Sequence, residues 1–234
     1  MTPTLAVLDL GRRRYGETLL LQRELVQRRL ADRSLDDMLL LVEHEPVVTM
    51  GRGTRTTSLP ASAAELERRG LEVFEVERGG DVTWHGPGQL VGYPILDLTR
   101  HRRDLHWYLR RLEQVLIDAL AALDLAAERH PGLTGVWIRG RKIASIGIYV
   151  RQWVTFHGFA LNVATDARAF DAIVPCGIHG VRMTSIADEA GATTDLTGLW
   201  NDTRQAVIAA MATVFDLVPV RTVDPTSAPA LSPS

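Results

Sequence analysis

Three extended segments that follow one another in the middle of the chain constrain its fold more than any other feature. Residues 135–138, 142–151 and 153–163 have the pattern of strands, and Arg139-Gly140 marks the first turn between them. Connections this short join antiparallel neighbours, because parallel strands need a crossover of a dozen or more residues. The block therefore predicts antiparallel pairing and argues against a doubly wound parallel fold.

Helices and further strands are predicted on both sides of this block. Residues 104–123 place apolar side chains at three- and four-residue steps, which indicates an amphipathic helix. Residues 15–30 and 201–215 also have helical spacing, and residues 4–10 have the pattern of a strand. The prediction is an α+β fold, a single domain with mixed or antiparallel sheets flanked by helices.

Local signals add detail to this prediction. Gly11 and the arginines after it are expected to turn the chain, and Ser62 has the spacing of a capping box with Glu65. The remaining expectations are a core face of Leu20, Leu21, Leu25 and Leu30 on the first helix, extended segments at 38–42, 47–50, 71–77 and 90–98, and short helices at 62–69 and 166–170.

Composition limits the classes to which the chain can belong. Its 234 residues carry a formal net charge of −2, which does not favour a nucleic-acid binder, and one cysteine excludes an intrachain disulfide framework. No run approaches the roughly 20 apolar residues of a spanning helix, and no leader pattern opens the chain. We therefore expect a cytoplasmic protein without nucleic-acid or membrane partners, with a disordered tail over residues 223–234.

Two residues stand out because each is the only one of its type. Cys176 is the only cysteine and lies between Pro175 and Gly177, which favours a turn; Lys142 is the only lysine among 26 cationic side chains. A thiol and a titratable amine are the two parts of an activated thiolate nucleophile. Two plainer interpretations stay open: a small buried hydrophobe for the cysteine, and a remnant of codon bias for the lysine.

The stretch at residues 78–89 is rich in glycine and in hydrogen-bonding side chains. Five of its twelve residues are Gly or Pro, which allow close approach of backbone N–H groups to a carbonyl, carboxylate or phosphate. A glycine-rich hairpin loop without a ligand is the alternative. No nucleotide or metalloenzyme motif occurs and the seven histidines lack metal-ligand spacing, so we expect neither a metal nor a cofactor.

Four motifs, in order, closely resemble those of the octanoyltransferases of lipoate biosynthesis. They are RGGDVTWHGPGQL at 78–90, KIASIG at 142–147, HGFALN at 157–162 and PCG at 175–177. The resemblance extends from about Leu5 to Leu217. Trp84 stands where the family usually has tyrosine, an exchange of one aromatic residue for another.

The resemblance implies a fold shared with lipoate-protein and biotin-protein ligases and a catalytic domain over residues 1–222. It implies an acyl-enzyme on Cys176 with Lys142 as its partner. It also implies an acyl-substrate site formed by Arg78, Gly79, Gly80, Asp81, Val82, Thr83, Trp84, His85, Ser145, Ile146, Gly147, Gly158, Phe159 and Ala160.

The implied partners are acidic proteins. The donor is octanoyl-acyl carrier protein, and the acceptors are lipoyl domains of 2-oxoacid dehydrogenase complexes and the glycine cleavage H protein. An arginine cluster of this chain is a candidate contact for them. The eight-carbon chain needs an apolar slot, for which Trp84, Ile146 and Phe159 are candidates, although each is equally suited to an ordinary core.

Three other functions compete with octanoyl transfer. An ATP-dependent lipoate or biotin ligase would use the lysine but not the thiol. A cysteine hydrolase would pair the thiol with His85, His157 or His179. A non-catalytic acyl-binding module would keep its role when Cys176 is replaced.

Overall fold

The computed structural model describes residues 3–55, 58, 63–68, 70–173, 181–191 and 195–221. Cys176 and the tail at 223–234 lie outside the described residues, as does Ser62 of the expected capping box. The strands are β1 Thr4–Arg13, β2 Asp37–His44, β3 Val47–Met50, β4 Glu72–Glu75, β5 Val82–His85, β6 Gln89–Ile95, β7 Val136–Ile138, β8 Arg141–Arg151, β9 Val154–Asn162 and β10 Val218–Arg221. The α-helices are α1 Tyr15–Ala31, α2 Ala63–Arg68, α3 Leu105–Ala121, α4 Ile186–Ala190 and α5 Leu196–Phe215, and Ala167–Ala172 form a 3₁₀ helix.

The described strands form two sheets. The larger has seven strands in the order β10-β1-β2-β6-β9-β8-β7, and the smaller has three in the order β4-β3-β5. The hairpins β7-β8-β9 are antiparallel as predicted, whereas β1 runs parallel to both of its neighbours. In the small sheet, β3 runs parallel to β4 and antiparallel to β5. Both sheets are thus mixed, and the α+β prediction is confirmed.

Alternation along the central strands divides the apolar residues between two cores. In β2, Leu39 and Leu41 join the cluster with helices α3 and α5, while Leu40 and Val42 join the cluster with α1. Successive strand side chains point to opposite faces, so an uninterrupted apolar run can serve a sheet that is covered on both sides. The large sheet is therefore a central layer, with α1 on one face and α3 and α5 on the other.

A bulge near the end of β1 replaces the expected turn. Gly11 has a φ of +60°, and the register of β1 against β2 shifts between Asp9 and Arg12. Glycine takes this left-handed conformation without steric cost, which lets the strand absorb an extra residue and continue. The prediction of a turn at Gly11 was wrong, although the glycine was a correct sign of irregular backbone.

The predicted leucine face of α1 is confirmed for Leu25, which is buried, and for Leu21 and Leu30, which pack against the same cluster, but it was wrong for Leu20. Leu20 is 67% exposed, and the buried residues of α1 are Tyr15, Thr18, Leu19, Gln22, Leu25, Val26 and Arg29. The polar members can be buried because they have partners: Gln22 Oε1 accepts a hydrogen bond from the backbone of His157, and Arg29 pairs with Asp37. Leu20 falls on the opposite side of the helix.

Candidate active site

A cavity of about 210 Å³ lies on the α1 side of the large sheet, where segment 78–85 covers β8 and β9. It is bordered by Lys142 and by every predicted acyl-site residue except Gly79 and Trp84. The other bordering residues are Tyr15, Val91, Tyr93, Gly132, Leu133, Thr134 and His157. Its volume is below the roughly 300–1,000 Å³ of sites for drug-sized ligands, and suits a small or slender group.

Small residues of β8 and β9 form the floor of the cavity. Ser145 pairs with Ala160 and Gly147 with Gly158, and directly opposed residues share one face of an antiparallel sheet. A Cβ on Gly147 would come within 3.0 Å of Arg78 Cδ and 3.1 Å of the Gly79 carbonyl oxygen. Gly79 in turn donates its N–H to the Ile148 carbonyl at 2.8 Å. The loop at Arg78 and Gly79 would therefore have to shift by a few tenths of an ångström to admit a side chain at position 147.

A β-bulge brings Lys142 to the same cavity as Ser145. In a regular strand, residues three apart point to opposite faces. Here Val136 pairs with Ala144 and Trp137 with Lys142, so Ile143 is an extra residue in β8. The bulge reverses the alternation, and both Lys142 and Ser145 border the cavity.

Lys142 is held firmly by its backbone and its surroundings. Its side chain is 2% exposed, and its Nζ lies 5.2 Å from the centroid of the Trp137 ring. Its N–H donates to the Arg182 carbonyl at 2.8 Å, and its carbonyl accepts from the Thr184 N–H at 3.0 Å. Arg182 and Thr184, six and eight residues after Cys176 in the sequence, thus pair with the backbone of Lys142.

A chain of buried hydrogen bonds connects β5 to the same segment. His85 Nδ1 donates to Gln89 Oε1 at 2.7 Å, and Gln89 Nε2 donates to Asn162 Oδ1 at 3.0 Å. Asn162 Nδ2 then donates to the Thr184 carbonyl at 2.9 Å. These side chains of the first and third motifs therefore fix the segment that pairs with Lys142.

Arg78 organises the loop that covers the floor. Its guanidinium donates to Thr49 through the carbonyl oxygen at 2.7 Å and the hydroxyl at 2.8 Å. It also donates to the carbonyls of Asp81 at 2.8 Å and of Gly79 at 3.2 Å. The forked cation thus ties the glycine-rich loop to β3 and places a buried positive charge beside the cavity.

Aromatic and imidazole groups close the side of the cavity next to α1. His44 Nδ1 donates to the Arg13 carbonyl at 3.1 Å, so its Nε2 accepts from the Tyr93 hydroxyl at 2.8 Å. Burial lowers the pKa of His44 to about 4. Burial also lowers the pKa of His85 to about 3, and repulsion from His44 in its protonated form adds to this shift. Burial raises the pKa of Tyr15 to about 12. These groups are therefore neutral near pH 7.

The structure separates Trp84 from the acyl slot, whereas Ile146 and Phe159 border the cavity. Trp84 turns away from the cavity and packs edge-on against Phe170, with ring centroids 5.5 Å apart, in the core of the small sheet. Phe159 borders the cavity but belongs to the main core cluster, and Ile146 packs against that cluster. Alternation in β5 separates Trp84 from Thr83 and His85, which border the cavity.

Sequence reasoning did not identify several of the bordering residues. Tyr15 begins α1 and Tyr93 lies in β6, far in sequence from the motifs, and only the packing of α1 on the sheet brings them together. Among the described residues, no group of three or more His, Cys, Asp or Glu side chains is placed to hold a metal ion. None of the described helices combines the length and apolar character needed to cross a membrane.

Comparison with known sequences identifies the family. Residues 14–215 match the model of the lipoyl protein ligase A/B catalytic domain. An octanoyltransferase of Nostoc punctiforme is 52% identical over 167 residues, which are 71% of this chain and 71% of that protein. An octanoyltransferase of Gloeobacter violaceus is 56% identical over 157 residues, 67% of this chain and 68% of that protein.

Solved structures show the same fold at low sequence identity. A lipoate-protein ligase A crystallised with ATP has a TM-score of 0.74 at 15% identity, covering 96% of this chain and 90% of that chain. The protein Ta0514 of T. acidophilum with bound lipoic acid has a TM-score of 0.70 at 15% identity, covering 96% of this chain and 91% of that chain. With its lipoate-ligase-like fold and its sequence relatives, this chain belongs to the octanoyltransferases of the lipoyl protein ligase A/B catalytic-domain family, and the enzyme is an acyltransferase.

Proposed function

We propose that the enzyme transfers an octanoyl group from octanoyl-acyl carrier protein to a specific lysine of lipoyl domains, through a thioester on Cys176. The acceptors are lipoyl domains of 2-oxoacid dehydrogenase complexes and the glycine cleavage H protein. The observation that carries the proposal is the small cavity bordered by Lys142 and by twelve of the fourteen residues expected at the acyl site. The role of Cys176 rests on its motif in the sequence.

The first half-reaction exchanges one thioester for another. The Cys176 thiolate attacks the acyl carbonyl carbon and expels the thiolate of the donor's prosthetic group, which takes up a proton. The bond broken and the bond formed are of the same type, so the step is nearly balanced in free energy. A free thiol with a pKa near 8.5 is mostly protonated at pH 7, so the thiolate needs a cationic or basic partner.

Lys142 is suited to that partnership and to the second half-reaction. A buried lysine can exist as a cation beside a thiolate or as a neutral amine that accepts a proton, whereas arginine stays charged. When the acceptor lysine attacks the thioester, its nitrogen must lose a proton and Cys176 must leave as a thiolate. Formation of the amide makes this step downhill, so no ATP is required.

The direct test is transfer to a lipoyl domain from octanoyl-acyl carrier protein without ATP. We expect wild-type turnover, loss of the acyl-enzyme in Cys176→Ser, and failure of Lys142→Arg because the guanidinium cannot act as a neutral base. Arg139→Lys is a matched control for exchanging one cation for another. The Arg139 side chain is 76% exposed on the turn between β7 and β8, so this variant should keep its activity.

Three results would contradict the proposal in different ways. Product formed only with ATP and free octanoate would assign the chain to the ligases. Octanoate released at full rate without an acceptor would indicate a hydrolase. Near-normal turnover in Lys142→Arg would leave Lys142 only an electrostatic or structural role.

A further inference from the structure

Trp137 places its indole ring against the side chain of Lys142. The two residues are directly opposed in the hairpin of β7 and β8, and opposed residues share one face of the sheet. The Lys142 Nζ lies over the ring, 5.2 Å from its centroid. An ammonium group within roughly 6 Å of the centroid is attracted to the negative face of an aromatic ring, and tryptophan attracts it most strongly.

The loop before β7 fixes the position of the Trp137 ring. The Trp137 N–H donates to the Glu128 carbonyl at 2.9 Å, and the Trp137 carbonyl accepts from the Glu128 N–H at 2.8 Å. The side chain is buried, and the His130 ring packs against the indole with centroids 5.4 Å apart. The protein itself therefore holds the ring beside Lys142.

Gly135 provides the space in which Lys142 reaches the ring. A Cβ at this position would lie 2.8 Å from Lys142 Cε and 3.3 Å from Trp137 Cη2, so the lysine stem and the indole meet at this glycine. The Gly135 N–H donates to Oε1 of the buried Glu113 at 3.2 Å. Strands β7 and β8 and helix α3 therefore all support the contact between Lys142 and Trp137.

Burial and the aromatic ring act on the charge of Lys142 in opposite directions. Lys142 is buried, and loss of water disfavours an ammonium group relative to a neutral amine. The face of the ring attracts only the ammonium form, and this attraction is stronger where water is excluded. A ring that acts as a cation partner and a ring that acts only as an apolar wall therefore affect the protonation of Lys142 with opposite signs.

We propose that Trp137 is a positioning residue that holds Lys142 as an ammonium ion in the resting enzyme. This rests on the proposed function, in which the ammonium ion pairs with the Cys176 thiolate. The thiolate that leaves the donor takes the proton of Lys142, which becomes the neutral amine that the second half-reaction needs. Lys142 then accepts the proton of the acceptor amine while Cys176 leaves as a thiolate, so each cycle restores the ion pair.

Other charged and titratable groups surround this pair. His130 contacts the Trp137 ring, Glu113 lies behind Gly135 in α3, and the segment that pairs with Lys142 contributes the exposed Arg182. The charged or titratable residues that border the cavity together with Lys142 are Tyr15, Arg78, Asp81, His85, Tyr93 and His157. The test therefore changes the indole ring and leaves all these groups in place.

The test follows the protonation of Lys142 directly, because it is the only lysine and labelling with ¹³C-lysine marks a single side chain. The NMR shift of its Cε, recorded as the pH is raised, gives the pH at which Lys142 loses its proton. We expect this pH to fall by about one unit in Trp137→Leu, and by less in Trp137→Phe, because the ammonium form loses a desolvated cation–π contact. An apolar wall would give the opposite sign, so an unchanged or raised value in Trp137→Leu would overturn the proposal.

Two controls assign the effect to the ring beside Lys142. Trp107→Leu makes the same substitution at a tryptophan of α3 whose ring lies 5.4 Å from the Arg111 guanidinium, and it should leave the titration of Lys142 unchanged. Repeating the titrations in a Cys176→Ser background removes the titration of the thiol, and the fall in Trp137→Leu should persist. Its disappearance in that background would show that the ring does not act on Lys142 itself and would overturn the proposal.

A fluorinated ring keeps the test decisive if the Trp137 variants do not fold. Incorporation of 5-fluorotryptophan at all five tryptophans withdraws electron density from the ring faces and nearly preserves their shape. The pH at which Lys142 loses its proton should then fall, by less than in Trp137→Leu, because the ring attracts a cation less strongly. An unchanged value in the folded, fluorinated enzyme would overturn the proposal.

Octanoyl transfer measured on the wild-type enzyme separates the two proposals, because the NMR titration does not depend on activity. If the enzyme transfers octanoyl from the carrier protein but the titration of Lys142 does not fall when the ring is changed, only the role of Trp137 fails. If the titration falls but no octanoyl group is transferred, the proposed function fails and the hold of the ring on Lys142 stands.

Discussion

Acidification should destabilise this protein through three buried histidines. The pKa is lowered by burial to about 4 in His44 and His157 and to about 3 in His85, against an ordinary value of 6.5. Below pH 6.5 the unfolded chain therefore binds protons that the folded chain does not. Stability is fully present above pH 6.5 and is lost as the pH falls from 6.5 towards 4.

The size of the loss follows from these pKa values. At pH 5.5 a histidine of the unfolded chain is about ten-elevenths protonated, whereas the buried residue stays neutral. This difference in proton binding lowers the free energy of unfolding by about 1.4 kcal/mol per histidine, and by about 4 kcal/mol for His44, His85 and His157 together. That is a large part of the roughly 5–15 kcal/mol by which domains are usually stable.

Urea unfolding at pH 7.5 and pH 5.5 measures this loss. Asn tolerates a positive φ such as that of His157, so His157→Asn should fold. In this variant the change in the free energy of unfolding between pH 7.5 and pH 5.5 should be about a third smaller than in the wild-type protein. Replacing the exposed His106 with Gln is the control and should leave the dependence unchanged. A change of less than about 1 kcal/mol between the two pH values in the wild-type protein would refute the reasoning, since it would mean that the buried histidines are protonated in the folded state.

Two further predictions concern buried contacts. Arg29 and Asp37 form an ion pair at 2.9 Å, and both side chains are only 2% exposed. Asp37→Ala leaves the buried Arg29 cation without this partner and should lower the free energy of unfolding by about 3–5 kcal/mol. A loss of less than about 1 kcal/mol in urea unfolding would contradict this prediction. Gly135→Ala places a Cβ 2.7 Å from the Ala144 carbonyl oxygen and 2.8 Å from Lys142 Cε, so Lys142 and its strand must shift, and kcat for octanoyl transfer should fall at least tenfold. Gly140→Ala, with a positive φ but no atom within 4 Å, is the control and should keep its kcat. Equal kcat values for the two variants would show that the position of Lys142 is not critical.

Much of the fold was predictable because its signals are local. The three-strand block at 135–163 and the amphipathic pattern of α3 gave elements within a few residues of their observed bounds. Strand β10 and helix α4, four and five residues long, were not predicted. Segments this short carry too few periods for a pattern to be distinguished from chance.

The site was predictable as a set of residues but not as a geometry. The motifs identified most residues around the cavity, yet they did not show that an extra residue at Ile143 turns Lys142 to the side of Ser145. A bulge depends on pairing with another strand, which periodicity in one segment does not reveal. The same holds for the positive φ of His157, which is visible only in the backbone.

Buried polar residues were the other limit of the sequence-based prediction. The predicted core face of α1 consisted of leucines alone and did not include Gln22 or Arg29, which are buried. Their burial depends on partners that are distant in sequence, His157 and Asp37. A hydrophobic pattern contains no information about such pairs.

The acyl-enzyme is the central claim, and intact-protein mass spectrometry tests it most directly. The enzyme is incubated with octanoyl-acyl carrier protein without ATP, and its mass is measured before and after addition of a lipoyl domain. We predict one octanoyl adduct on Cys176 that is sensitive to hydroxylamine and is discharged by the lipoyl domain. An unmodified enzyme that still forms octanoylated lipoyl domain, or an undiminished thioester adduct in Cys176→Ser, would contradict the account.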